Sequence, residues 1–196
     1  MSSTETTCRL SPGIQTMLLD IALLSIHHGL VCGKPFPVGS EGLAPELAKP
    51  SATFVTINLN GNLRGCVGSL QAVRPLASDV AYNAYAAAFL DRRFGPLSAG
   101  EAGQIRLHLS LLTPALPMQF GSEADLLSQI VPFEDGLILE DGGRRGTFLP
   151  SVWESLPRPE QFFHHLKLKA GLPTDHWSPT VRVWRYHTES IHQPDR

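Results

Sequence analysis

A turn-and-strand pattern that occurs twice constrains the fold of this chain more than any other feature. Asn60-Gly61-Asn62-Leu63-Arg64-Gly65-Cys66 is paralleled by Asp141-Gly142-Gly143-Arg144-Arg145-Gly146-Thr147, at an offset of about 81 residues. The apolar run Phe54 to Leu59 leads into the first copy, and Gly136 to Glu140 leads into the second. Asn-Gly supplies the positive-φ residues that a type I′ turn needs, so the first copy predicts an antiparallel hairpin closed at Asn60-Gly61. The same offset carries a helix at about 78–90 onto one at about 159–170. Each helix is followed by an alternating strand: Ile105, Leu107, Leu109 and Leu111, then Val181, Val183 and Arg185. The pattern predicts an α+β fold with an internal duplication of two β-β-α-β repeats, residues 53–112 and 136–186. It sets Arg64 and Arg145 at equivalent hairpin positions. A short helix from Ser122 to Ile130, with Ser122 and Asp125 spaced as a capping box, bridges the copies.

Ahead of the repeats, residues 1–10 read as a disordered tail. Ser11-Pro12 is an N-cap followed by proline at the first helical position, and Ile14, Met17, Leu18, Ile21, Leu24 and His28 recur at helical spacing. Gly29 reads as the stop, giving an extra N-terminal helix over 11–29. Residues 30–52, rich in proline and glycine, read as a long surface loop. The whole of 11–190 is expected to form a single domain, since 196 residues suit one sizeable domain or two tightly joined lobes.

A net charge of −2 offers no basic surface for nucleic acid or an anionic membrane. Met17 to Ile26, the longest apolar stretch, is interrupted by Asp20 and Ser25 and is too short to span a bilayer. Cys8, Cys32 and Cys66 are an odd set without CxxC spacing, so neither a disulfide framework nor a cysteine metal site is expected. His27-His28 and His164-His165 sit side by side on helices, where neighbouring side chains diverge by roughly 100°. No metal, no cofactor and a reducing cytoplasmic location are the expectations, with Cys66 partly buried and not bridged to Cys8.

Chemistry concentrates in Leu63-Arg64-Gly65-Cys66-Val67-Gly68. Strand alternation puts Arg64 and Cys66 on one face, and Gly65 and Gly68 leave room for a ligand or another backbone. A guanidinium beside a thiol favours the reactive thiolate; equally, Cys66 reads as a small buried hydrophobe at a bulge. Asp91 and Arg93 read either as an acid–arginine pair at a cleft edge or, with Arg92, as part of a helix C-terminus completed by Gly95-Pro96. Lys167 and Lys169 read as cations at the end of the second helix. Arg64 and Arg145 would together suit a carboxylate or phosphate, unless each pairs with a local acid such as Glu140 or Asp141. His108 lies on the polar face of its strand with Arg106 and Ser110. Trp153, Phe162, Phe163 and Trp184 read as core or half-core.

LRGCVG resembles the LRGCIG hallmark of the AMMECR family, whose bacterial and archaeal members are often called AmmeMemoRadiSam system protein A. The similarity continues through 54–70, AFLDRRFGPLSAGE at 88–101, LHLSLLTP at 107–114, GLILEDGGRRGTFLPSVWE at 136–154 and HHLKLKAGLP at 164–173. It spans roughly residues 10 to 187. Arg92 stands where the family usually has proline, and Ser151 where glutamine is common. The resemblance implies two β-α-β-type repeats with an added N-terminal helix. It gives no settled reaction, but implies an accessory module acting with a Memo-like protein and a radical-SAM protein. The candidate binding cleft, for such a partner or a small anionic ligand, comprises Arg64, Gly65, Cys66, Gly68, Asp91, Arg93 and Arg145. The alternative is a thiol enzyme in which Cys66 is the nucleophile, Arg64 activates it and His108 is the general base.

Overall fold

A computed structural model of the chain describes residues 10–39 and 41–194. Cys8, and all of the expected tail but Leu10, lie outside the described residues. Along the chain the elements are α1 (Pro12–Cys32), α2 (Pro45–Ala48), β1 (Pro50–Leu59), β2 (Asn62–Gly68), β3 (Arg74–Pro75), α3 (Leu76–Phe89), α4 (Ala99–Ala102) and β4 (Ile105–Leu112). There follow β5 (Leu116–Pro117), α5 (Glu123–Gln129), β6 (Gly136–Asp141), β7 (Arg144–Phe148), a 3₁₀ turn (Pro150–Glu154), α6 (Pro159–Lys169), β8 (Arg182–Tyr186) and β9 (Thr188–His192). They form two compact units: the described residues up to Leu111 together with Glu189–Pro194, and Leu112–Thr188.

In the first unit the sheet order is β2-β1-β4-β9, with β3 pairing on β1. Helices α1 and α3 pack on one face. Val55, Ile57, Leu107 and Leu109 of the sheet bury against Leu18, Ala22 and Ile26 of α1 and Val80, Ala84 and Ala87 of α3. Alanines on α3 let backbones approach closely, and each leucine or isoleucine fully buried here contributes roughly 1.5–3 kcal/mol. Ser11 caps α1 as expected, its Oγ accepting from the Ile14 N–H. The helix then runs past Gly29 to Gly33, which ends it at φ 68°. Gly29 has a different role: a Cβ there would lie 2.3 Å from the Phe89 ring, so glycine lets α1 close on α3. At 21 residues α1 is long and apolar enough, by length and composition alone, to cross a membrane; its inner face is nonetheless core. The expected loop 30–52 is shorter than read, since it also contains the end of α1, all of α2 and the start of β1.

In the second unit the order is β5-β8-β6-β7. Its core gathers Leu137, Leu139 and Val183 from the sheet, Phe162, Phe163 and Leu166 from α6, and Trp153, which stacks on Phe162 at 3.8 Å. Lys167 departs from its expected capping role. It is 2% exposed, its Nζ donates to Glu123 Oε2 of α5 at 2.7 Å and to the Thr174 carbonyl, and it lies over the Phe163 ring. The pairing compensates a buried charge that would otherwise be costly.

Both sheets place the inner hairpin strand between its hairpin partner and the strand after the helix (β2-β1-β4 and β7-β6-β8). A shared strand order is a likeness of architecture and does not by itself establish a duplication. The hairpins differ in detail. Asn60 and Gly61 (φ 52° and 79°) close the first, and Gly142 and Gly143 (φ 54° and 77°) close the second. In the first, Asn58 pairs with Leu63 and Ile57 with Gly65, leaving Arg64 as an extra residue in a β-bulge. In the second, Glu140 pairs with Arg145 and Leu139 with Gly146 without interruption. Arg64 and Arg145 therefore share an element but not a pairing position, because the turn sits one residue later in the second copy relative to its glycine.

Candidate functional site

Strand β2 is an edge strand, and edge N–H and C=O groups need partners other than a neighbouring strand. The sequence supplies them from the segment that follows α3. A Cβ on Gly65 would fall 2.1 Å from the Ala87 carbonyl oxygen, so only glycine lets β2 lie this close to the last turn of α3. That proximity brings Asp91 to the strand. Its Oδ2 accepts from the Cys66 N–H at 2.9 Å and from Arg93 Nη2 at 2.7 Å, while Oδ1 accepts from Arg93 Nε at 3.0 Å. Arg93 Nη2 also donates to the Cys66 carbonyl at 3.2 Å. One acid–arginine pair thus takes the place of a neighbouring strand at Cys66. The Asp91 side chain is 7% exposed. The Arg93 hydrogen bond, opposed by burial and helped by the Cys66 and Arg93 amides, holds its carboxyl well below the usual carboxylate range. Asp91 in turn raises the Arg93 guanidinium above its ordinary value.

The bulge directs Arg64 to the loop after α3. Its Nε donates to Glu101 Oε1 at 2.8 Å and Nη2 to Glu101 Oε2 at 3.3 Å; Nη1 reaches the Gly95 carbonyl and Nη2 the Pro96 carbonyl. Four of the five N–H groups of a guanidinium suffice for these bonds. The Phe94 ring centroid lies 5.9 Å from the Arg64 guanidinium carbon and 5.5 Å from that of Arg93. Glu101 also accepts from the Ser98 backbone N–H and hydroxyl, completing a capping box on α4. Arg64 foremost, then Ser98, brings its carboxyl down to about 2. Glu101 was missed as a site residue, although Ser98-x-x-Glu101 is a readable capping signature.

Cys66 is free and half-buried, and Cys32 is free and exposed. The hydrogen-bond partner of the Cys66 thiol is Thr56 Oγ1, 3.4 Å away across the hairpin. His108 is not hydrogen-bonded to it. That imidazole stacks on His192 at 4.2 Å, its Nε2 is buried without a partner, and burial followed by His192 lowers its pKa. Gly68 leaves room for the Phe54 ring, which a Cβ would meet at 2.2 Å, so that glycine serves packing. Arg145, in the second unit, is exposed opposite Glu140, whose carboxylate is taken by Arg182. Among the described residues no group of three or more His, Cys, Asp or Glu side chains is placed to hold a metal ion.

Two further polar constructions escaped the sequence reading because their members lie far apart along the chain. In the first unit, buried Asp79 accepts from Thr53, Ser69, Arg74 and Asn83, tying the far end of the hairpin to α3. In the second, Asp141 accepts from His176, Ser178 and Thr180 and fixes the loop before β8. Beside that loop lies a cavity of about 410 Å³ lined by Phe120, Trp177, Arg182 and Trp184.

The AMMECR1 family model matches residues 19–191. The chain belongs to the AMMECR1 family. A Methanothermobacter thermautotrophicus protein is 39% identical over 182 residues, covering 90% of this chain and 92% of that one. A Thermotoga maritima protein is 38% identical over 152 residues, covering 76% and 82%. The crystal structure of the uncharacterized protein PH0010 from Pyrococcus horikoshii matches with a TM-score of 0.84 at 29% identity, covering 92% of each chain. The AMMECR1 fold of this chain is thus that of a solved family of uncharacterised function.

Proposed function

We propose that this AMMECR1-family chain is an accessory binding module, acting in the cytoplasm with Memo-like and radical-SAM proteins through the surface around the β1–β2 hairpin. The observation that carries this reading is that the charged groups of the motif are already engaged within the unit. Arg64 holds Glu101 and two carbonyls, and Asp91 with Arg93 holds the Cys66 backbone. A small anion would have to displace Glu101 from Arg64. A partner protein needs no such exchange: it meets a stiffened edge strand with Leu63, 43% exposed, beside the turn. The thiol-enzyme reading lacks support, because the only group hydrogen-bonded to the Cys66 thiol among the described residues is a threonine hydroxyl, which is no base at neutral pH.

The test is calorimetric titration of the purified chain with a Memo-like and a radical-SAM protein from the same source. Leu63→Asp is expected to abolish binding with the melting temperature unchanged, whereas Cys66→Ser binds as the parent does. Arg64→Lys, which cannot reproduce the fork onto Glu101, is expected to cost about 1–2 kcal/mol of stability and to weaken binding only as far as folding is lost. Absence of binding to both proteins, or a measurable turnover that vanishes in Cys66→Ser, would overturn the proposal.

A further inference from the structure

Helix α1 is apolar on two sides, and the first unit covers only one of them. Leu18, Leu19, Ala22, Ile26 and Gly29 face inward. Outward, Met17, Asp20, Leu24, His27 and Val31 follow one another at alternating spacings of three and four residues, all exposed. Met17 is 49% exposed, Leu24 46% and Val31 85%. Each of these three lies seven positions from the next, about 10.5 Å along the axis, so they form one stripe. Alternating three- and four-residue spacing is the seam along which helices pair.

We propose that the stripe seats a second copy of this chain, the two α1 helices lying antiparallel about a twofold axis near Leu24. Such an axis brings Leu24 against its own counterpart. Met17 and Val31 lie equally far from Leu24 on either side, so each meets the other's equivalent in the second copy. Asp20, four residues before Leu24, then faces His27 of the second copy, three residues beyond it. The carboxylate accepts a hydrogen bond from the exposed His27 imidazole, since His28 is taken by the Lys34 carbonyl and the Phe36 ring, and the contact occurs twice by symmetry. A single helix face thereby supplies both halves of its own complement, as a twofold interface requires.

Charge argues against the other apolar surroundings. Asp20 and His27 interrupt the stripe between Met17 and Val31, and a lipid surface would leave that carboxylate facing acyl chains without a donor. The seam involves about five residues a side, well under the 20–30 of a standard stable interface, so the dimer is weak and concentration-dependent.

Sedimentation equilibrium of the full chain, from low micromolar to submillimolar concentration, tests this. The weight-average mass is expected to rise from one chain toward two. Leu24→Glu should hold it at one chain across the range without changing the circular-dichroism melt, since Leu24 lies outside the core. Asp20→His should weaken association, and Asp20→His with His27→Asp should restore it. A parent chain that stays monomeric throughout, or a Leu24→Glu variant that associates equally well, overturns the proposal. So does a monomeric parent that co-sediments with phosphatidylcholine–phosphatidylglycerol vesicles in a Leu24-dependent way, which would assign the stripe to lipid.

Discussion

Asp91→Ala should loosen β2 at Cys66 before it unfolds anything else. The substitution removes the acceptor of the Cys66 N–H and both Arg93 side-chain contacts, and frees Arg93 from the Cys66 carbonyl. The magnitude follows from how each group is left. Arg93 is 56% exposed and is rehydrated, so its ion pair contributes about 0–1 kcal/mol. The half-buried Cys66 amide loses its partner at about 1–3 kcal/mol. The sum is about 2 kcal/mol, or roughly a 30-fold gain in the exchange rate of that amide. Tryptophan fluorescence cannot report it, since Trp153, Trp177 and Trp184 all belong to the second unit. Hydrogen exchange of the peptide spanning β2 can, and Asp91→Asn, which keeps one oxygen acceptor, should fall between the parent and the alanine variant. If the Cys66 amide exchanges at the parent rate in Asp91→Ala, the pair does not stand in for a strand and the account of the site is wrong.

The two hairpin glycines should differ in their tolerance of alanine. At Gly65 the new Cβ meets the Ala87 carbonyl oxygen at 2.1 Å and two packed backbones must separate, a cost of about 3 kcal/mol or more; at Gly146 the nearest atoms, Ala170 N and Cβ, lie at 2.9–3.0 Å, a cost nearer about 1 kcal/mol. Thermal melts of the two variants check this, and equal losses would refute it. Acid should destabilise the second unit through Asp141, whose carboxyl is brought down to about 2 by hydrogen bonds from Thr180, His176 and Ser178. Because the folded value lies below the unfolded one near about 4, this contribution is complete above about pH 4 and lost as pH falls through about 2. Asp141→Asn should flatten the tryptophan-detected stability profile across that window, and an unchanged profile would sink the assignment.

The edge of β2 gives the Leu63–Gly68 segment a physical explanation that needs no reaction. Gly65 permits the approach of α3, the bulge turns Arg64 onto Glu101, and the chain leaving α3 returns Asp91 and Arg93 to the Cys66 backbone. Each residue depends on the one before it. Such interdependence accounts for these residues whether or not a thiol reacts, so the segment is by itself weak support for catalysis.

Elements set by local physics were legible in the sequence. The Asn60-Gly61 turn, the Ser11 cap, α5 with its Ser122 cap, α6 and strands β4, β6 and β8 rest on positive-φ residues, capping side chains and apolar periodicity, all acting within a few residues. What failed was long-range. Strand β9 pairs with β4 about eighty residues upstream, and nothing in Thr188–His192 announces that partner. Gly29 looked like a helix stop because the sequence holds no sign that Phe89 presses on it. Lys167 looked like a capping cation because its burial depends on Glu123 arriving from another helix. Arg64 and Cys66 were readable as neighbours on a strand. That Arg64 would face Glu101, and Cys66 the Asp91–Arg93 pair, was settled only when α3 packed against the hairpin, because contacts between distant segments depend on which surfaces the whole chain buries together.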